Sequence, residues 1–449
     1  MIIGKEEKSK WAIKTLLHIE GVKENIKIWL NPNDEFDGEG IVIGNLSKGK
    51  AKKFFDSEIV GKTQENWCKI LINCRHPIFE KYKVKHILIP HTRRIKVKFK
   101  GNCDTFLYYD NYPLLIQKEK RCWITFDLGI SLYSLLHETY TKNTPSLADS
   151  YFFQRFYYET GYYLMPFLFK IFFRKKKSPM NFPIDFKGYF LKELFSICLK
   201  WLNIKRAPYW PMNYKWAFVL CIDIEPSPLT FKTAKRIFKK LEKAKIKYNV
   251  SIPFKILKDI LRITDLKGEV ICHGDNHSGY LIFKKDLIDL LKKIKSSYFN
   301  FMDVKGFRSP RFARNIYLHK TLKEAGFDVS SSFPDVDYER PSDFGAGISF
   351  NFPFFNQGIL EIPPTAPDCI TPLYLGYSLN QLFKLYEEKI NFVRDIGGVF
   401  VCTIHPEFIR GMDIRLRESL LDFILSKILN DSSVWITTFS EIYKWWKKR

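Results

Sequence analysis

The chain has 449 residues, which is too long for one small core, and 46% of them are hydrophobic, enough to fill two. Its nine cysteines include no Cys-x-x-Cys pair, which favours reduced thiols in the core over disulfides or a zinc ribbon. The net charge of +24 would suit a nucleic-acid partner, but basic residues are spread along the chain without a nucleic-acid-binding signature. We therefore expect no specific nucleic-acid partner, although the charge allows peripheral association with anionic surfaces.

Residues 1–205 are predicted to form a separate N-terminal domain of mixed α and β structure, whose role the sequence does not indicate. Charged residues precede any long apolar stretch at the start, so we find no secretory signal and expect a cytoplasmic protein. The most apolar later segment, 162–173, contains Pro166 and Lys170 and is too short to cross a bilayer. Strands are predicted at 27–30, 40–43, 86–90, 94–99 and 122–126, and aromatic-rich helices from 147 to 204.

A domain boundary is predicted at 205–211, where two prolines separate a helix from a new strand. Residues 206–449 then alternate strand-like and helical segments, the pattern of a parallel sheet covered by helices. We therefore predict an α/β fold for this part, a distorted (β/α) barrel of about seven parallel strands. Strands are predicted at 216–222, 248–252, 269–272, 304–307, 327–331, 359–362, 398–403 and 434–436, and the longer helices at 231–244, 284–295, 316–325, 378–393, 414–429 and 439–446.

Two acids stand at the end of the first of these strands. Asp223 and Glu225 are two residues apart, and such residues face the same side of an extended chain. A carboxylate that binds a metal stays ionised, while its neighbour can take the proton of a metal-bound water molecule. Taken alone, this pattern is more often an ordinary pair of acids at a strand end.

Two histidines, His273 and His277, follow the predicted strand 269–272, where barrel enzymes keep their active residues. The intervening Gly274 favours a tight turn that lets both rings converge. Two imidazoles and a carboxylate make a three-ligand site for a divalent metal with room for water, which predicts a hydrolase. The spacing His-x-x-x-His is common by chance. It supports a metal site here because the two acids also lie at the end of a predicted strand in the same series.

Two later loops repeat this placement. Arg308 begins the loop Arg-Ser-Pro-Arg-Phe after strand 304–307, and it is suited to orient the catalytic carboxylate. Pro310 fixes the backbone of a loop that is able to present an N–H group to a developing oxyanion. His405 follows strand 398–403 and is placed to donate a proton to a leaving group. Each residue alone would more often be a solvated basic turn or a structural histidine.

Together the motifs make residues 209–449 resemble a polysaccharide deacetylase domain, the NodB homology domain of carbohydrate esterase family 4. That family carries an acidic motif, a His-x-x-x-His motif, an Arg-x-Pro motif and a His-Pro motif, in this order, on a distorted barrel. In this chain the motifs read Cys-Ile-Asp-Ile-Glu at 221–225, His-Gly-Asp-Asn-His at 273–277, Arg-Ser-Pro at 308–310 and Cys-Thr-Ile-His-Pro at 402–406.

The resemblance implies a role for each matching residue. It makes Asp223 the general base and His405 the general acid, and it makes the backbone at Arg311 part of the oxyanion site. It also makes Arg308 the partner of the base.

The metal ligands implied by the resemblance are Glu225, His273 and His277; these ligands favour zinc, although other first-row divalent ions fit them as well. The chain has Asp-x-Glu where the family usually has adjacent aspartates. The family's fourth motif, usually Asp with Trp, is not clear, and Asp335 or Asp337 are the candidates for a further partner of Arg308.

We therefore expect a metal-dependent hydrolase that removes an N-acetyl group from a sugar or polysaccharide by attack of metal-bound water. The expected partner is an N-acetylated carbohydrate, and the sequence does not indicate an oligomeric state. Two alternatives stay open: an amidohydrolase with the same barrel that acts on a non-sugar amide or ureide, and a non-catalytic binding protein for anionic polymers.

Overall fold

The computed structural model describes residues 1–72, 76–99, 108–109, 112–139, 184–224, 230–337, 347–366, 377–406 and 414–449. The described chain forms two compact units, one within 1–139 and 185–209 and the other within 210–449. The boundary between the two units lies between Tyr209 and Trp210, within the segment 205–211. The apolar segment 162–173 lies outside the described residues. None of the described helices has the length and apolar character needed to cross a membrane.

The first unit combines helices with a mostly parallel sheet and a long antiparallel ribbon. Its described helices are α1 (Glu7–Ile19), α2 (Lys48–Phe55), α3 (Pro77–Lys81), α4 (Leu128–Leu136) and α5 (Lys187–Trp201). Its described strands are β1 (Ile2–Ile3), β2 (Ile28–Leu30), β3 (Gly40–Ile43), β4 (Ser57–Leu71), β5 (His86–Phe99), β6 (Tyr108–Tyr109), β7 (Tyr112–Pro113), β8 (Leu115–Lys118) and β9 (Arg121–Ile124).

The parallel sheet has the order β1-β2-β3-β9-β8, in which only β8 is antiparallel to its neighbour. Strands predicted at 27–30, 40–43 and 122–126 are confirmed within one or two residues. The two strands predicted at 86–90 and 94–99 are one continuous strand, β5, because it pairs with β4 along nearly its whole length. Aromatic side chains from the sheet, from α2 and from the loop between β2 and β3 pack in the core of this unit, among them Trp29, Phe36, Phe55 and Trp123.

The second unit alternates strands and helices, as predicted. Its described strands are β10 (Trp216–Asp223), β11 (Asn249–Ile252), β12 (Glu269–Cys272), β13 (Gly306–Phe307), β14 (Val329–Ser330), β15 (Phe354–Asn356), β16 (Ile359–Glu361), β17 (Val399–Ile404) and β18 (Val434–Thr437). Its described helices are α6 (Thr230–Lys243), α7 (Phe254–Ile263), α8 (Leu287–Phe299), α9 (Leu318–Glu324), α10 (Leu379–Ile396), α11 (Ile414–Leu429) and α12 (Phe439–Lys448).

These strands form one sheet in the order β15-β16-β14-β13-β12-β11-β10-β17, and β18 pairs with the first half of β10. All pairs are parallel except β15 with β16. The other edge of β17 is also bonded, since the N–H groups of Thr365 and Ala366 donate to the carbonyl of Val401 at 3.2 and 3.1 Å. The sheet therefore curls toward closure, as expected of a distorted barrel. The predicted count of about seven is not confirmed, because the described residues contain eight parallel strands and one antiparallel strand.

The centre of this sheet is apolar on both faces. All eight residues of β10 are buried, which is typical of a parallel strand with helices on one side and packed side chains on the other. The last helix, α12, begins with a capping box formed by Thr438 and Glu441. The next residue, Phe439, donates its N–H to Oδ1 of Asn249 at 3.2 Å, and its ring lies 5.7 Å from the guanidinium of Arg308.

Candidate active site

Four polar side chains follow directly on parallel strands of the curled sheet. Asp223 is the last residue of β10, His273 follows β12, Arg308 follows β13, and His405 follows β17. They are buried, with exposed fractions of 2%, 1%, 0% and 6%. Carboxyl ends of parallel strands meet at one edge of a sheet, which is where barrel enzymes place their active residues. The sequence-predicted residues therefore share one end of the second unit.

The loop between His273 and His277 is fixed by its backbone. Gly274 has a φ of +73°, and an added Cβ would lie 3.0 Å from Leu281 and 3.2 Å from Pro310, so this turn favours glycine. Its carbonyl accepts a hydrogen bond from the N–H of Phe254 at the start of α7. His277 also has a left-handed backbone, with φ of 67°. The two imidazole centroids lie 4.8 Å apart, so the rings do converge as predicted.

The hydrogen bonds of His273 assign its tautomer. Its Nδ1 lies 2.8 Å from the carbonyl oxygen of Arg308, and a carbonyl only accepts, so Nδ1 carries the proton. Nε2 then presents a lone pair, and this buried atom has no hydrogen-bond partner among the described residues. Burial lowers the pKa of His273 to about 4. Burial, followed by the neighbouring His273, lowers the pKa of His277 well below its ordinary value. Both rings are therefore neutral near pH 7, the form that binds metals.

The carboxylate of Asp223 is held by Arg308. Nη1 of Arg308 lies 3.2 and 3.1 Å from the two carboxylate oxygens, and Sγ of Cys221 donates to Oδ1 at 3.2 Å. Burial alone would raise the pKa of Asp223, but Arg308 first, and then His273 and His405, bring it below the ordinary value. The predicted base is thus ionised at neutral pH, in contact with the arginine predicted to orient it.

Hydroxyl groups complete the contacts of Arg308. Its Nη1 donates to Oγ1 of Thr403 at 2.7 Å, and its Nη2 donates to Oγ of Ser331 at 3.0 Å. The guanidinium also lies 5.4 Å from the ring centre of Phe312. Sequence reasoning missed both hydroxyls. Thr403 lies two residues before His405, a spacing that puts both on one side of a strand, and this was the available signal.

The two acids considered as partners of Arg308 are engaged elsewhere, so that interpretation was wrong. Asp335 accepts hydrogen bonds from Asn351 and from the buried Lys389. Asp337 pairs with Arg314 at 2.8 Å. Each acid neutralises a different buried cation, which a buried charge requires.

The loop after Arg308 contains two successive residues with left-handed backbones. Arg311 and Phe312 have φ angles of 54° and 51°. The N–H of Phe312 donates to the carbonyl of Ser309 at 3.0 Å, which fixes the turn. Non-glycine residues in this conformation are uncommon and are enriched where loops shape a functional site. The side chain of Arg311 is also near His277, because it is among the groups, after burial and His273, that lower the pKa of His277.

The remaining predicted residues are His405 and Glu225. Burial is the largest influence on the pKa values of Asp223, His273 and His277. His405 is among the charged groups that lower each of these pKa values, so it belongs to the same cluster. Glu225, the predicted third metal ligand, lies outside the described residues. Among the residues that the structure does describe, no three His, Cys, Asp or Glu side chains form a complete metal site.

The residues present nevertheless fit a divalent ion. His273 presents a buried nitrogen lone pair with no other partner in the described chain, and His277 lies beside it as a second neutral imidazole. The hydrogen bond from Nδ1 to the Arg308 carbonyl orients the ring in the way that outer contacts orient metal-bound histidines. A third ligand supplied by Glu225 stays a prediction.

Comparison with known proteins gives matches only among solved structures. No protein-family model matches the chain, and no curated protein matches it significantly. A structure described as a polysaccharide deacetylase from Mycobacterium smegmatis is 20% identical, with a TM-score of 0.42, covering 53% of this chain and 92% of its own. One described as a polysaccharide deacetylase from Pseudomonas aeruginosa PAO1 is 12% identical, with a TM-score of 0.41, covering 56% of this chain and 97% of its own.

A third structure, described as Puue allantoinase, is 12% identical, with a TM-score of 0.44, covering 56% of this chain and 96% of its own. Solved structures similar to this chain thus include two described as polysaccharide deacetylases and one described as an allantoinase, at low identity and over about half of this chain. The functional assignment depends on the residues of the site.

Proposed function

We propose that the second unit is a metal-dependent hydrolase that removes an N-acetyl group from a sugar or polysaccharide. One observation carries this proposal. A buried, neutral His273 with an unsatisfied Nε2 stands in one cluster with the ionised Asp223, which Arg308 holds in place. A buried nitrogen without a hydrogen-bond partner destabilises the folded state. Its presence in such a cluster therefore supports a site that binds a ligand.

His273 and His277 would hold the ion, together with Glu225. A divalent ion at these ligands supplies Lewis-acid activation of a water molecule and of the substrate carbonyl. Zinc fits the donor set best, because two imidazoles and a carboxylate are typical of catalytic zinc sites.

The protein side chains carry the proton transfers. Asp223 takes the proton of the attacking water, and its low pKa keeps it ready to do so at neutral pH. The backbone N–H of Arg311 donates to the carbonyl oxygen as negative charge develops there. His405 donates a proton to the departing amine, which turns a poor leaving group into a neutral one.

The substrate class rests on the family resemblance of the four ordered motifs. An N-acetylated sugar is the substrate that the polysaccharide deacetylase family implies. Hydrolysis of a non-sugar amide or ureide uses the same chemistry, so the assay has to separate these substrates. The cytoplasmic location and the absence of a specific nucleic-acid partner stay predictions.

The test combines metal analysis with product detection. Purified protein is assayed for bound zinc and for acetate released from a panel of N-acetylated oligosaccharides, with a ureide and a simple amide in parallel. We expect near-stoichiometric metal and acetate release that a chelator abolishes and zinc restores. His273→Gln is expected to lower bound metal and acetate release together, since the amide replaces one ligand.

A matched control is His137→Gln, which changes a buried histidine of the first unit and should leave bound metal and acetate release unchanged. Metal-free wild type that still releases acetate would falsify the metal site. Metal-loaded wild type that hydrolyses the ureide or the amide, but none of the acetylated sugars, contradicts the proposed substrate class.

A further inference from the structure

A second buried carboxylate, Glu361, lies beside the site and has no place in the chemistry proposed above. It is the last residue of β16, it is fully buried, and its backbone pairs in register with Ser330 of β14. A buried carboxylate costs free energy unless hydrogen bonds compensate for lost water. Its partners therefore show what this side chain does.

Glu361 holds the backbone that follows β14. Its Oε1 accepts hydrogen bonds from the N–H groups of Ser332 and Phe333, at 2.8 and 2.9 Å. Its Oε2 lies 2.9 Å from Nε2 of His319. Nδ1 of His319 accepts from the amide of Asn356 at 3.0 Å, so Nε2 carries the proton and donates it to Glu361.

The held segment supplies the hydroxyl groups that fix the arginine loop. Ser331 accepts from Nη2 of Arg308 at 3.0 Å, and Ser332 accepts from the N–H of Ser309 at 3.0 Å. Glu361 thus binds the backbone N–H groups of Ser332 and Phe333, and the hydroxyl groups of Ser331 and Ser332 bind two successive residues of the loop that contacts the base. The path from Glu361 to Asp223 therefore consists of the hydrogen bond from the N–H of Ser332, the peptide bond to Ser331, and the hydrogen bonds of Arg308 to Ser331 and to Asp223.

We infer that Glu361 is a positioning residue, which fixes 331–333 so that Ser331 orients Arg308 on Asp223. This inference rests on the proposed function, because it assigns Glu361 a task in that reaction. The electrostatics point the same way. Burial opposes the charge of Arg308, and Asp223 first and also Glu361 are among the groups that raise its pKa above the ordinary value.

The kinetic test compares substitutions of Glu361 with a substitution of Ser331, the residue that contacts Arg308. Glu361→Gln keeps the shape but loses the charge, and Glu361→Asp keeps the charge but is too short for both N–H groups. We expect each to lower kcat for acetate release about tenfold, the equivalent of one buried hydrogen bond, with little change in KM. Ser331→Ala should act in the same direction. Combined with Glu361→Gln, it should add little, because both changes release the same arginine.

Ser330→Ala is the matched control. Ser330 is a buried neighbour on β14 whose hydroxyl contacts Ser332 at 3.1 Å and makes no bond to Arg308, so kcat should stay within about twofold of wild type. A purely structural effect would instead give equal losses in Ser330→Ala and Ser331→Ala. If Glu361→Gln fails to fold, Glu361→Asp and the comparison of Ser331→Ala with Ser330→Ala still test the positioning role.

A spectroscopic measurement reports on Arg308 without turnover. In protein labelled with ¹⁵N-arginine, the guanidinium signals of Arg308, assigned with Arg308→Lys, should exchange slowly with water in the wild type and faster in Glu361→Gln. Wild type that releases no acetate contradicts the proposed function. Active wild type whose Glu361 and Ser331 variants keep full kcat, with unchanged Arg308 signals, overturns the positioning role.

Discussion

Both units end parallel strands with polar side chains, but the two sets differ in how their hydrogen bonds are satisfied. In the first unit, Asp127 follows β9 and accepts from Ser9 at 3.0 Å, from Asn31 at 3.1 Å and from the N–H of Ile130 at 3.1 Å. Oδ1 of Asn31, which follows β2, accepts from the N–H of Asn45 at 2.8 Å. These polar groups are hydrogen-bonded to one another or to nearby backbone, and the side chain of Asp127 caps the N-terminus of α4.

In the second unit, three buried polar atoms in or directly after the last residues of strands have no partner among the described residues. They are Nε2 of His273, Oγ of Ser251 and Nε of Arg308. Buried polar atoms are nearly always satisfied in folded proteins, so such a group of exceptions indicates an absent ligand or water. The end of a parallel strand is therefore only a possible position for a functional site. Buried polar atoms without hydrogen-bond partners indicate which strand ends form such a site.

The largest test of this difference is Asp223→Asn. The amide cannot take a proton from water, so acetate release should fall about 10³-fold, within the range that general bases contribute. Initial rates on metal-loaded protein measure this effect. Circular dichroism should show that the variant is folded, and bound zinc should be retained.

The control for this prediction is Asp335→Asn, which removes an equally buried, ion-paired carboxylate of the same unit. We expect it to lower thermal stability while kcat of the folded enzyme stays near that of wild type. Comparable losses of kcat in both variants would mean that Asp223 acts through the fold and not as the base.

A second test uses the acid response of the metal-free protein. Burial lowers the pKa of His273 from 6.5 to about 4, so between these values the unfolded chain binds a proton that the folded chain does not. This contribution is intact above pH 6.5 and is lost as pH falls to 4, an effect on the order of 3 kcal/mol. His273→Gln should remove that part of the pH dependence.

Urea unfolding of chelator-treated protein at pH 7, 5.5 and 4.5 measures the effect. Other acidic groups titrate in both proteins, so the difference between wild type and His273→Gln isolates this histidine. Parallel free-energy curves for the two proteins would contradict a neutral, buried His273.

The sequence was sufficient for those parts of the fold that have a strong local pattern. The strands β10 and β17 are continuous apolar runs, and α10 begins with a Ser378–Gln381 capping box and ends at Gly397. By contrast, β4 was missed. Its central residues are at least partly exposed on both faces, so the sequence has no apolar alternation there. The short antiparallel β15 has only three residues and gave no pattern either.

The site divides in the same way. Asp223, His273, Arg308 and His405 were predictable because each follows an apolar strand. Their supporting contacts were not, since the bonds of Arg308 to Ser331 and Thr403 join residues 23 and 95 positions apart. Serine and threonine are ordinary at strand ends, and only the folded sheet selects the ones that meet the guanidinium.

The smallest expected effect is at the satisfied strand ends of the first unit. Asp127→Asn replaces an acceptor oxygen by an amide that faces donors, so it should lower the free energy of unfolding by about 1–2 kcal/mol. Urea unfolding measures this, and Asp34→Asn, at an exposed position, serves as the charge-matched control. Acetate release per folded molecule should not change. If Asp127→Asn instead abolished activity in a protein of normal stability, the hydrogen-bonded strand ends would be functional after all, and bond satisfaction would not separate the two units.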